Sequence, residues 1–172
     1  LLDFTFTQLM LTGFIFIWTG FVRSGLGFGG AALALPLMLF VYDQPIFWLP
    51  VIGLHLLFFS ALTLRTRIHA VDWIYLRQSC LFIIPPAIVG VLGLITLPNE
   101  WLVMFIYSIT LVYALMWLFC INIRSKQRWS DNLLLGLGGY IAGTTLTGAP
   151  LMVAVFMRRV SIDQLRNTLF VL

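Results

Sequence analysis

Long uncharged stretches dominate this chain of 172 residues and limit the folds that it can adopt. Six of them are long enough to cross about 30 Å of hydrocarbon. They are Phe4–Val22, Gly25–Tyr42, Ile46–Leu64 (interrupted only by His55), Gln78–Leu97, Trp101–Ile121 and Asn132–Met157. Charged residues make up 9% of the chain, against about a quarter of a soluble domain. Since hydrocarbon cannot satisfy backbone polar groups, these stretches predict an all-α, polytopic helical bundle in a lipid bilayer, built from spanning helices or re-entrant pairs.

A glycine-rich segment occurs twice in these stretches. The first copy reads GFVRSGLGFGGAALALPL at Gly20–Leu37, and the second reads GGYIAGTTLTGAPLMVAV at Gly138–Val155. Three glycine pairs align without a gap, each 118 residues apart: Gly20 with Gly138, Gly25 with Gly143 and Gly30 with Gly148. Such glycine-broken segments at matching positions are typical of transporters built from two repeats, whose broken helices meet at a substrate site. We therefore expect Gly25–Ala31 and Thr144–Pro150 to be non-helical and to meet near the middle of the bilayer.

The repeat spacing also predicts how the chain is divided. Residues 1–130 are expected to form a first repeat, with a glycine-broken segment and three spanning helices. Residues 131–172 are expected to begin a second repeat. Because a second unit of equal length would extend past Leu172, the second repeat is expected to be truncated.

The charges indicate which connections face the cytoplasm. Basic residues gather in two connections, at Arg65, Arg67 and Arg77 and at Arg124, Lys126 and Arg128, whereas the connections at Tyr42–Pro45 and Pro98–Glu100 carry only acidic charges. The positive-inside rule places the first two inside and the others outside. The net charge of +4 is thus a sign of topology and predicts no nucleic-acid partner.

Arg158 and Arg159 directly follow the second glycine segment. A re-entrant hairpin turning at Thr144–Pro150 would keep them inside, whereas one broken helix would carry them outside. The hairpin is favoured, and it gives each unit three crossings and hence inverted repeats. One broken helix in each copy, with four crossings and parallel repeats, is the alternative.

The two segments resemble the sulfite exporter TauE/SafE family of membrane transporters, in the 4-toluene sulfonate uptake permease-like superfamily. GFVRSGLGFGGAALALPLML is similar to the family's N-terminal glycine-rich turn, and GYIAGTTLTGAPLMVAVFMRRVSIDQLRNTL is similar to its second-repeat pattern of a glycine-broken helix, Gly-x-Pro and Arg-x-Thr. Arg23 in the first turn and Ala31 in place of a third glycine depart from the pattern. The resemblance implies export of sulfite or organosulfonates, or uptake of related anions, across a bacterial inner membrane.

Candidate anion contacts in the first segment combine backbone amides with one cation. Gly27, Gly29 and Gly30 permit a sharp turn that leaves amide groups pointing at a cavity, although close helix packing would also explain them. Arg23 follows a long uncharged stretch and could pair with two oxygens of an anion or extend to the membrane surface. Ser24 could support it with a hydroxyl.

In the second segment, Thr144, Thr145 and Thr147 supply hydroxyl donors, which could instead bond to their own helix. Gly148 and Pro150 open the next half-helix, where a proline suits the first turn. These five residues are candidate anion contacts.

Two further residues are candidates at other positions. His55 could relay a proton or could form a hydrogen bond between helices. Arg166, the first residue of the Arg-x-Thr pattern, could face the cavity or the membrane surface.

Together with the resemblance, which implies the sulfur-containing substrate, these features predict a transporter of small sulfur-containing oxyanions that works by alternating access around a midplane site. An anion channel, or a carrier of other small organic anions, is the alternative. An enzyme is disfavoured, because the sequence has no paired carboxylates, no HExxH motif and no nucleophile beside a base. No cofactor or metal site is expected, with Cys80 and Cys120 in different apolar stretches. Coupling to protons or another ion, and assembly into a homo-oligomer, are left open.

Overall fold

The computed structural model of the chain describes residues 4–26, 29–119 and 128–172. Within these ranges the chain forms eight α-helices and no strand, which confirms the all-α prediction. The helices are α1 (Phe6–Leu26), α2 (Gly30–Val41), α3 (Pro45–Leu64), α4 (Trp73–Thr96), α5 (Asn99–Leu118), α6 (Arg128–Thr145), α7 (Ala149–Arg159) and α8 (Ile162–Val171). A single 3₁₀ turn at Ile68–Ala70 lies between α3 and α4.

Four of the helices are long and apolar enough to cross a membrane. These spans are Phe6–Gly25, Pro45–Leu64, Trp73–Thr96 and Asn99–Leu118. Large apolar side chains stay exposed along them, including Phe14, Phe58, Ile74 and Leu111. Soluble monomers rarely expose apolar surface on this scale, so these faces suit contact with lipid.

The first glycine segment contains the turn of a helical hairpin. α1 ends at Leu26 and α2 begins at Gly30, and Gly29 between them has a φ of 85°. This left-handed backbone costs glycine little because it has no Cβ. Gln8 Nε2 donates to the Val41 carbonyl at 3.1 Å. Since this bond joins the beginning of α1 to the end of α2, the two helices are antiparallel.

The second glycine segment forms a hairpin between α6 and α7. In its turn, Leu146 has a φ of 57°, which a non-glycine residue seldom adopts. The end of α7 returns to the beginning of α6, where Arg158 and Arg159 both pair with Asp131. This antiparallel pair is the predicted hairpin. The alternative, a single broken helix that keeps one direction through the segment, is wrong.

Both turns are shorter than predicted. Gly25, Gly30 and Ala31 are helical, and so are Thr144, Thr145, Ala149 and Pro150. The prediction of non-helical backbone over Gly25–Ala31 and Thr144–Pro150 is therefore wrong at the ends of both ranges. A glycine within a helix costs only about 1 kcal/mol, which packing can offset. A proline is tolerated at the start of a helix, because an N–H at that position would have no partner within the helix.

The two turns contact the same part of α3. A Cβ built on Gly30 would lie 3.3 Å from Leu56, and one built on Gly53 would lie 4.0 Å from Leu146. Gly53 and Leu56 are about one helical turn apart. Thus α3 holds the turns of both hairpins at a similar height in the bundle.

Glycines bring α6 unusually close to α4. A Cβ on Gly139 would overlap the carbonyl oxygen of Ile83, and one on Gly143 would overlap that of Ala87. Because both pairs advance by four residues in the same direction, α4 and α6 run parallel. Small residues allow this backbone approach in membrane helices. Helix packing therefore explains Gly143, the repeat counterpart of Gly25.

Candidate functional site

A cavity of about 600 Å³ lies between α3, α4, the α6–α7 hairpin and α8. This volume falls within the range typical of small-molecule sites. Most lining side chains are aliphatic or aromatic, and Arg23 and Ser60 supply a cation and a hydroxyl. We refer to it as the Arg23 cavity.

Arg23 reaches this cavity from the last turn of α1. Its Nη2 donates to Ser60 Oγ at 2.6 Å, and its Cζ lies 5.5 Å from the centre of the Phe170 ring. The Nε atom is buried without a hydrogen-bond partner. Within the described parts of the chain, the ion pairs are those of Asp131, and none involves Arg23. The half-buried guanidinium of Arg23 thus has no carboxylate partner among the residues that the structure describes, and it retains donors that an anion could use.

The other candidates of the first segment support the turn. Gly30 is buried against the Arg23 side chain: a Cβ built on Gly30 would lie 3.1 Å from the Cβ of Arg23. Gly29 supplies the left-handed backbone of the turn. Ser24 is exposed, and Ser60 is the hydroxyl that bonds Arg23. Ser24, Gly29 and Gly30 are not among the cavity-lining residues. Gly27 lies outside the described residues.

The three threonines of the second segment are buried, and their hydroxyls bond within the protein. Thr144 donates to the carbonyls of Tyr140 and Ile141 at 3.1 Å, and Thr145 donates to that of Ile141 at 2.9 Å. Thr145 and Thr147 Oγ1 are 2.6 Å apart. Since Thr145 has one hydroxyl hydrogen, Thr147 is the donor in this pair. Thr144 and Thr145 thus bond to carbonyls of their own helix, which is the alternative to anion contact.

Gly148 and Pro150 shape the second hairpin. A Cβ on Gly148 would overlap the carbonyl oxygen of Gly138, so the glycine permits α7 to fold back against α6. Pro150 lies in the first turn of α7, where its missing N–H costs nothing. Ala149 beside it lines the Arg23 cavity, but neither candidate does.

The two remaining candidates lie outside the cavity wall. His55 packs between Phe16 and Phe59, with ring centres 4.9 Å and 4.8 Å away. Arg166 is half-buried on α8 and is not among the lining residues. Of the twelve candidates, Gly27 lies outside the described residues. Among the other eleven, only Arg23 lines this cavity.

Sequence reasoning missed two partners of Arg23. Ser60 places a hydroxyl in the largely apolar α3, and this could have marked it as a candidate site residue. Its hydrogen bond with Arg23, however, depends on how α1 packs against α3. Phe170 is one of many aromatic residues and has no distinguishing pattern. The role of Asp131 was missed too: it lies 27 and 28 residues before the two arginines, and only the hairpin joins them.

A family model for the sulfite exporter TauE/SafE matches residues 11–171, a range that contains the turns of both hairpins. The chain belongs to the sulfite exporter TauE/SafE family. This match confirms the resemblance seen in the glycine segments. The TauE/SafE protein is therefore a transport protein integral to a membrane, in agreement with the four apolar spans in the described part of the chain. No curated protein and no solved structure matches the chain significantly.

Proposed function

We propose that this TauE/SafE protein carries small sulfur-containing oxyanions, such as sulfite or organosulfonates, and binds them in the Arg23 cavity. The observation that carries the proposal is the guanidinium of Arg23, which reaches the cavity without a carboxylate partner among the described residues. A cation in a membrane interior is costly, and a bound anion would lower that cost. Charge-assisted bonds from the guanidinium would also orient the anion's oxygens.

The cavity walls support an anion with an apolar portion. Leu57, Ile84 and Val91 are among the many aliphatic side chains that line the cavity beside the single cation. The volume of about 600 Å³ leaves room for an organic group beyond the charged head. An organosulfonate would place its sulfonate at Arg23 and Ser60 and its carbon skeleton against these walls.

Alternating access requires two units that can move against each other, and inverted repeats provide them. In the first unit, Arg23 bonds Ser60 and Phe16 lies beside His55. The residue numbers of both pairs rise together, so α1 runs parallel to α3.

The second hairpin runs the other way. At the end of α6, Leu146 lies beside Gly53, whereas Leu64, at the end of α3, packs in the same cluster as Leu135 of α6. These positions support an antiparallel arrangement of α3 and α6, and hence of α1 and α6 as well. The opposite directions support our proposal of inverted repeats, with residues 1–130 as the first and 131–172 as the beginning of the second, in a bacterial inner membrane.

Flux measurements in proteoliposomes test the proposal. We expect saturable uptake of sulfite, thiosulfate, sulfoacetate or taurine, stimulated by the same anion on the opposite side. Lactate serves as the carboxylate comparison. Flux that neither saturates nor responds to countertransport would favour an anion channel, and a preference for lactate would contradict the sulfur-anion assignment.

A further inference from the structure

A second cavity, of about 420 Å³, lies on a different face of α4 from the Arg23 cavity. It is lined mainly by polar and charged side chains, and we call it the polar cavity. Tyr75, Gln78, Ser79 and Phe82 line it from α4, Arg128, Asp131, Asn132 and Leu135 from α6, and Arg159 from α7. The proposed transport site uses none of these side chains.

The charges around the polar cavity favour an anion. Asp131 is 4% exposed, and its carboxylate pairs with both Arg158 and Arg159. One negative charge therefore faces two positive charges, and Arg128 at the cavity wall adds a third. Arg159 uses Nε and Nη2 for Asp131, which leaves its other terminal nitrogen for a further acceptor.

Neutral donors complete the cavity. Gln78 and Asn132 can each donate through an amide group. Ser79 is 2% exposed, and its Oγ lies at the cavity wall beside the Tyr75 side chain. A serine hydroxyl can donate one hydrogen bond and accept others, so it could also bond an oxygen of a ligand.

The polar cavity lies at a height in the bundle that corresponds to the surface of a membrane. Trp73 and Trp129 are exposed in the first turns of α4 and α6, the two helices that form the cavity. Exposed tryptophans are enriched at the boundary between lipid and water. Basic pockets between helices at that depth suit anionic head groups.

We propose that the polar cavity binds a tetrahedral oxyanion: the phosphate head group of an anionic lipid, or a free phosphate ion. Arg128 and Arg159 supply the charge, and Gln78, Ser79 and Asn132 supply hydrogen bonds. This site is separate from the Arg23 cavity and does not depend on what the Arg23 cavity transports.

The test measures two probes on the purified full chain in an uncharged detergent. Native mass spectrometry compares retention of phosphatidylglycerol with that of phosphatidylcholine, and isothermal titration measures binding of inorganic phosphate. Arg128→Gln and Gln78→Leu change exposed residues, so folding should survive both. Since one basic side chain near an anionic surface contributes roughly a factor of five, Arg128→Gln should weaken binding of the occupying probe about fivefold. Gln78→Leu should weaken it in the same direction.

Two control variants make the result specific. Arg65→Gln and Arg67→Gln each remove an exposed arginine that lines neither cavity, and both variants should bind the probe normally. Selective loss of phosphatidylglycerol identifies a lipid site, and selective loss of phosphate identifies a site for free anions. Equal binding of both probes by wild type, Arg128→Gln and Gln78→Leu would overturn the proposal.

Discussion

The environment of the Arg23 side chain supports the role in anion binding that we propose for it. α1 exposes most of its large apolar side chains, yet its last turn carries a cation that the hairpin directs against α3. Ser60 and Phe170 fix the guanidinium from two directions, and no carboxylate among the described residues pairs with it. A cation held in this way in a largely apolar cavity would be a suitable anchor for an anion.

Removing Arg23 should weaken anion binding. A hydrogen bond to a charged group is worth roughly 1.5–3 kcal/mol, so Arg23→Ala should raise the Kd at least about tenfold. Arg23→Lys should recover part of the affinity, because lysine keeps the charge but loses the planar group. Titration of the transported anion measures the effect, with the exposed Arg77→Ala as the control. Wild-type affinity in a folded Arg23→Ala protein would remove Arg23 from the site.

The threonines of the second turn should matter more for stability than for binding. Thr145→Val leaves the buried hydroxyl of Thr147 without its acceptor, at a cost of about 1–2 kcal/mol in the free energy of unfolding. Thr110→Val, which removes a bond within one helix only, should cost less. Denaturation in mixed detergent micelles measures both. A Thr145→Val protein with normal stability and weakened anion binding would instead show that this hydroxyl contacts the substrate.

At the scale of the helices, the duplicated glycines and the adjacent arginines were enough to predict two breaks and the second hairpin. The limits of the breaks could not be predicted, because Gly25 and Thr145 can extend a helix when their neighbours compensate. The packing of α4 on α6 could not be predicted either. Gly139 and Gly143 have a spacing that permits close packing, but the sequence does not name the partner helix.

The packing of α4 on α6 predicts a clear difference between glycines. Gly139→Ala and Gly143→Ala place a methyl group against backbone carbonyls, which cannot move away as a side chain can. Each should lower the free energy of unfolding by about 1–3 kcal/mol. Gly13→Ala is the matched control: a Cβ there meets nothing within 4 Å, and alanine favours the helix, so stability should hold or rise. Equal effects at the three positions would contradict the close approach of α4 and α6.

At the scale of the whole molecule, polar contacts join helices that are distant in sequence. The Asp72 backbone N–H donates to Thr168 Oγ1 at 3.0 Å, which ties α8 to the connection before α4. Asp131 ties the end of α7 to the beginning of α6. Charge patterns indicated which connections share a membrane face, whereas these particular pairs depend on the packed structure and could not be read from the sequence.

These contacts predict which connections face the same side of the membrane. Ser161 follows α7 and precedes α8, so it should share a side with Thr66, in the basic connection after α3. Glu100, in an acidic connection, should lie on the opposite side. All three residues are exposed, and each can be replaced by cysteine once Cys80 and Cys120 are changed to serine.

Labelling of intact cells with a membrane-impermeant maleimide measures these positions. We expect Glu100→Cys to react from outside, and Thr66→Cys and Ser161→Cys to react only after the membrane is permeabilised. The reverse pattern at all three positions would keep the hairpin and contradict the positive-inside assignment, because the whole bundle would then be turned over. Labelling of Ser161→Cys together with Glu100→Cys, with Thr66→Cys protected, would mean that the second glycine segment crosses the membrane. The inverted repeats would then be wrong, since they require the second hairpin to return to the side on which it began.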